Sequence, residues 1–283
     1  LRAAGHQVVE VDRPNRQTRR RQGKTDPVDA EAAARAALAG TASGSPKARD
    51  GAVEAIRALR VARRSALKAR TQAANQLDAL VISAPEPLRG QLRALPTAAR
   101  VPRVAALRCG QAPTDAIAAT KLAMRELARR YHTLTAEITR LEAALTRLTS
   151  TTAPRLVAIF GAGPDVAGAL LTAAGDNPGR LRNERAFARL CGAAPLEASS
   201  GRTRRHRLKR GGDRQANNAL WRIVLVRMHY DPRTKAYLAR RTAQGLSKRE
   251  IIRCLKRYVA REVYRAILAD LHHPAPTDQL DPQ

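Results

Sequence analysis

The sequence predicts a mainly α-helical protein, and three features of its 283 residues carry that reading. Residues 51–83 read as one long helix. Leu127, Tyr131, Leu134, Ile138, Leu141, Leu145 and Leu148 recur at alternating intervals of four and three, the heptad seam of a coiled coil or helical hairpin. The Val-rich run at 6–12 looks like a buried strand, yet nothing in the next hundred residues offers it a partner. At roughly 150 residues per domain the length suggests two domains.

Taken in order, the strand (Val8, Val9, Val11) stops at Asp12-Arg13-Pro14-Asn15, a turn signal. A basic loop with Arg16, Arg19, Arg20, Arg21 and Lys24 leads to Thr25-Asp26-Pro27-Val28-Asp29. Pro27 after an Asp cap starts a helix that runs to Leu38, and Gly40 stops it. Residues 41–50 read as a linker. The long helix carries Arg57, Arg60, Arg63, Arg64, Lys68 and Arg70 with no acid between them, a face basic enough to lie along a phosphate backbone. Pro85, Pro87 and Pro96 precede the heptad helix, whose seam serves either oligomerisation or packing on the first helix. From Pro154 the composition changes, and a mostly helical domain fills 153–271 before a polar tail. Trp221, His229 and Tyr230 are expected in its core.

Lys plus Arg number 52 against 24 Asp plus Glu, a net charge of +28. With a pI near 11.5, the partner is a polyanion. Aromatics are only 3% of the chain, so phosphate contact rather than base stacking should dominate. No apolar run approaches a membrane span and no signal peptide stands out, which reads as a soluble cytoplasmic protein. Cys109, Cys191 and Cys254 lack any C-x-x-C spacing, which argues against a disulfide framework or structural zinc and for three buried thiols.

Three constellations carry chemistry. Asp26 and Asp29, three apart at a helix start, place two carboxylates on one side of the first turn. They are either ligands for a divalent cation such as Mg²⁺ or a cap and a dipole-favoured acid. Residues 159–167, with Gly161 and Gly163, match the hairpin of a helix-hairpin-helix, where backbone N–H groups approach phosphate; a dinucleotide fingerprint and a plain helix–helix turn are the rivals. The segment from Ser199 to Arg214 packs seven cations around Ser-Ser-Gly: Arg202, Arg204, Arg205, Arg207, Lys209, Arg210 and Arg214. A serine there is either a nucleophile helped by guanidinium groups or part of a turn whose arginines clamp DNA. His206 reads as a phosphate contact rather than a base.

These pieces in this order resemble the DEDD transposases of the insertion-sequence-110 family (groups 110, 116, 902 and 1111, related to Piv invertases). The match rests on Gly-Lys-Thr-Asp-Pro-Val-Asp-Ala at 23–30, Gly-Ala-Gly-Pro at 161–164, Phe187 to Pro195, Ser-Ser-Gly at 199–201 and Lys-Arg-Gly-Gly-Asp-Arg at 209–214. The resemblance implies that residues 1–47 are the C-terminal part of a RuvC-like, RNase H-like domain. Residues 48–152 would be a helical or coiled-coil linker joining protomers, 153–271 the transposase domain and 272–283 a tail. It implies that Asp26 and Asp29 are the final pair of an Asp-Glu-Asp-Asp metal site, and that Ser200, or else Ser199, becomes joined to DNA. It further implies DNA ends and target as substrates, a structured element-encoded RNA as partner, and Lys24, Gly161, Gly163 and the arginines above as nucleic-acid contacts. The first two carboxylates of the tetrad should precede Leu1, so a truncated transposase is expected, with a silent nucleic-acid-binding remnant as the alternative.

Overall fold

The computed structural model describes residues 4–11, 20–21, 23, 25–42, 44–109, 114–202, 206–207 and 211–272. Among them the protein is mainly α-helical, with one two-stranded sheet. The chain divides into two compact units, one of residues 1–55 with 149–283 and one of residues 56–148.

Helix α1, Asp26–Leu38, is capped by Thr25 rather than by Asp26, which is already helical, with Pro27 in the first turn. Pro27 needs no N–H partner there, and Thr25 supplies the extended backbone that a cap requires. Among the described residues of the expected strand, 6–9 pair with nothing as a strand and Glu10 makes an isolated bridge with Gly44.

In the unit of residues 56–148, the helices are α2 (Ala52–Ser83), α3 (Leu88–Arg93), α4 (Thr97–Ala105) and α5 (Ala116–Thr152). Leu77, Val81, Leu88, Leu92, Val101, Val104, Met124 and Ala128 form its core. Arg63 pairs with Glu142 at 2.6 Å and the Arg70 guanidinium lies 5.6 Å from the Tyr131 ring centre. Positions rising along α2 therefore meet positions falling along α5, an antiparallel hairpin. Ile138 and Leu145 of the heptad are fully buried along it. The six cations of α2 are accordingly not one free face, since Arg63 and Arg70 are turned to α5 by an acid and an aromatic ring.

The other unit is built on α6 (Pro154–Val157), α7 (Pro164–Ala174), α8 (Glu184–Leu190), α9 (Arg214–Tyr230), α10 (Pro232–Ala243) and α11 (Lys248–His272). The strongly apolar α7 buries Val166, Leu170 and Leu171 against α9, whose Leu220 and Ile223 are also buried. Buried Asp270 of α11 accepts the backbone N–H groups of Arg155 and Leu156, closing the orphan donors of α6. The segment before α2 is sewn to the same unit. Glu10 pairs with Arg180 at 2.9 Å, Lys47 Nζ donates to the Thr172 carbonyl, and Asp176 Oδ1 accepts the Val53 N–H at 2.9 Å.

Two expectations need correction. Trp221 and Tyr230 are 39% and 64% exposed and His229 is exposed too, because the buried side of α9 runs through Ala216, Ala219, Leu220, Ile223 and Val224 instead. Cys191 is buried, but Cys109 and Cys254 are only half-buried.

Candidate nucleic-acid interface

Local geometry pins the serine segment at both ends. Strands β1 (Leu196–Glu197) and β2 (His206–Arg207) pair antiparallel, Leu196 opposite Arg207 and Glu197 opposite His206. Ser199, Ser200 and Gly201 lie in the connection between them, all exposed. Gly201 takes the left-handed conformation, φ 56°, which favours glycine. Ser199 Oγ donates to Glu197 Oε1 at 3.1 Å.

At the far end, Gly212 is forced by contact as well as by conformation. Its φ is 108°, and a Cβ there would stand 2.7 Å from the Gly192 nitrogen. This close approach lets Asp213 N–H donate to the Leu190 carbonyl at 2.7 Å, while the Asp213 carboxylate caps α9 through Gln215 and Ala216. Asn217 Nδ2 donates to the Cys191 carbonyl at 2.7 Å. The end of α8 and the start of α9 thus form a fixed base for the loop. Burial pushes the Cys191 thiol up, with nearby Asp213 adding to it, so this cysteine is structural.

Of the predicted cations, Arg202, Arg207 and Arg214 are exposed around this loop. Lys24, Arg204, Arg205, Lys209 and Arg210 lie outside the described residues. Gly161 (φ 90°) has a packing reason, because a Cβ there would press on Ile223 and Val226 of α9 at 3.3 to 3.4 Å. Gly163 caps α7 with open space above it, and Asp165 in that first turn pairs with Arg222 at 2.8 Å.

Asp26 and Asp29 share the first turn of α1, Asp26 exposed and Asp29 half-buried. Two carboxylates suit a hard cation in type but not in number. Among the described residues no group of three or more His, Cys, Asp or Glu side chains could hold a metal ion. This pair by itself is therefore an incomplete donor set.

Sequence reasoning does not find one feature of this region, a pocket of about 670 Å³. Arg207 of β2, Arg241 of α10 and Arg253, Lys256, Arg257 and Arg261 of α11 line it, with Glu250. Arg253, Arg257 and Arg261 follow one another at intervals of four, a helical stripe legible in the sequence. No serine, glycine or acid motif accompanies that stripe to mark it as a site.

The transposase model of the DEDD class of the IS110 group matches residues 1–84, and the Transposase IS116/IS110/IS902 family model matches residues 153–239. The chain belongs to the IS110 family of transposases. Transposases of this family cut and recombine DNA, which makes DNA the implied partner of so basic a chain. No curated protein matches it. In this IS110-family chain the second match includes the whole serine segment and its base. The cations of α11 lie beyond it. Among the described residues no helix is long and apolar enough to cross a membrane.

Proposed function

We propose that this chain acts as the transposase of an insertion sequence, cutting and rejoining DNA with Ser200 as nucleophile. The observation that carries the reading is the exposed Ser199-Ser200-Gly201 connection held on a short hairpin with a fixed base and flanked by Arg202, Arg207 and Arg214. An exposed hydroxyl on a fixed support meets a backbone phosphate without first having to be uncovered. The guanidinium groups beside it stabilise the charge that builds on the phosphorus oxygens. In the step, a bond forms between Ser200 Oγ and phosphorus, the bond from phosphorus to the leaving sugar oxygen breaks, and the hydroxyl proton ends on that oxygen. The phosphoserine link keeps the bond for rejoining when a second sugar hydroxyl attacks.

The same reading assigns residues 1–47 to the C-terminal part of a RuvC-like domain, 48–152 to a helical or coiled-coil linker that joins copies of the chain, 153–271 to the transposase domain and 272–283 to a tail. Asp26 and Asp29 would contribute two carboxylate oxygens to a Mg²⁺ site whose other ligands they do not supply. A bound divalent ion would help activate an attacking oxygen. A structured RNA from the element is the second polyanion proposed as partner, in the cytoplasm of a bacterial cell.

The deciding experiment incubates the full chain with end-labelled DNA of the element's ends and looks for a denaturant-resistant protein–DNA adduct. Ser200→Ala should abolish the adduct and Ser199→Ala should retain it. An adduct that survives Ser200→Ala removes Ser200 from the role. Salt-sensitive DNA binding with no adduct from any serine variant or the parent supports a silent binding protein instead.

A further inference from the structure

The pocket beneath the serine hairpin is built for an anion. Six cations line it against two nearby carboxylates, which leaves the cluster net positive even with both acids engaged. Glu250 closes the start of α11 in a capping box with Ser247, Oγ to Oε2 at 2.7 Å. Glu184 binds Arg257 at 2.5 Å and Arg261 at 3.1 Å. Arg253 reaches Glu250 only at 3.7 Å. Lys256 is 6% exposed, its Nζ donating to Asn217 Oδ1 at 3.0 Å. Burial, reinforced by Arg253, lowers its pKa, so the cluster pays for its own charge in the absence of an anion.

Arg241 Nε and Arg257 Nη1 are buried with no acceptor among the described residues, so a ligand in the pocket would meet the other nitrogens of these two pocket-lining guanidinium groups. Unpaired buried donors are costly, and planar guanidinium forks match phosphate oxygens. A lone phosphate would leave most of the 670 Å³ empty, a volume suited to an organic ligand. The remaining wall is apolar, with Ala193, Pro195 and Leu246, and Tyr258 stands 54% exposed with its ring edge-on to Tyr237 at 5.9 Å. That ring is a face on which a base can stack.

We propose that this pocket receives one phosphorylated nucleotide unit of a single strand, its phosphate on Arg241, Arg253 and Arg257 and its base against Tyr258. A concave site of this size takes a single unit that has left the base stack more readily than a stacked duplex. Because His206 and Arg207 of β2 line it, the anchored strand runs on toward the serines. The three steps from Glu197 to Ser200 span at most about 10 Å. The choice of a strand as the source of the nucleotide rests on the DNA-recombining function proposed above; the anion pocket itself rests on geometry.

The test is titration calorimetry on the full chain with dTMP, thymidine and inorganic phosphate, and with a short thymidine oligonucleotide as competitor. The expected result is one dTMP per chain, at least tenfold weaker binding of both thymidine and inorganic phosphate, and displacement of dTMP by the oligonucleotide. Arg253→Gln, on the open side of the cluster, should weaken dTMP at least tenfold, and Arg241→Ala should do likewise. Arg222→Ala, outside the pocket, should leave it unchanged. Thymidine or phosphate binding as tightly as dTMP, or Arg253→Gln without effect on it, overturns the assignment. Failure of the oligonucleotide to compete overturns the strand as its source. Binding of dTMP should persist in Ser200→Ala, so loss of the adduct and loss of nucleotide binding are read separately.

Discussion

The backbone N–H of Asp213 donates to the carbonyl of Leu190 at 2.7 Å, tying the first residue after a glycine pair to the end of a helix more than twenty residues earlier. Among the described residues between them, the hairpin with Ser199 and Ser200 stands on a neck closed by this bond. Its position is therefore set by the buried packing of α8 and α9 rather than by the loop's own contacts.

Gly212→Ala tests that neck. The new Cβ would meet backbone atoms at 2.7 and 2.8 Å in a left-handed conformation. Neither neighbour is a side chain that can swing away, so a cost of about 3 kcal/mol is expected. Thermal unfolding should show a Tm lower by roughly 5–10 °C. An unchanged Tm would mean the neck opens freely.

Asp270→Ala removes the acceptor for two backbone N–H groups at the start of α6. Asp270 is 3% exposed, so water replaces it poorly. The loss should be about 2–3 kcal/mol in denaturant unfolding, with Asp270→Asn costing less because its carbonyl oxygen still accepts.

Acid should loosen the junction of α8 with α11. Burial alone would raise the Glu184 carboxyl, but hydrogen bonds from Arg257 and Arg261 outweigh it and hold the group below its usual 4.5. A depressed folded value means that the stabilisation is complete above the unfolded value and is lost as pH falls through the folded one. Glu184→Gln should therefore lower Tm near neutral pH, and its deficit should shrink as pH drops below 4.5. A deficit constant across that range would assign the effect to packing.

Leu220→Ala and Trp221→Ala separate the two sides of α9. Leu220 is fully buried, so its truncation should cost about 2–5 kcal/mol. Trp221, partly exposed, should cost under about 1 kcal/mol in stability despite its larger size. Equal losses in denaturant titrations would show that Trp221 is covered in solution.

Much was legible in the sequence because it depends on local chemistry. Pro27 and the acids around it start α1, the four–three spacing of apolar residues gives a long helix, and the excess of Lys and Arg points to a polyanion. Other features depend on which surfaces meet, which no local pattern encodes. The sequence reading expects Trp221 and Tyr230 of α9 in the core, but an amphipathic helix buries one stripe, and Leu220 and Ile223 occupy it. The pocket joins β2, α10 and α11 across some fifty residues of chain. Sequence determined the elements and the charge; only tertiary packing decided that cations distant along the chain share one pocket, because like charges gather there against their mutual repulsion through backbone positions fixed by the buried core.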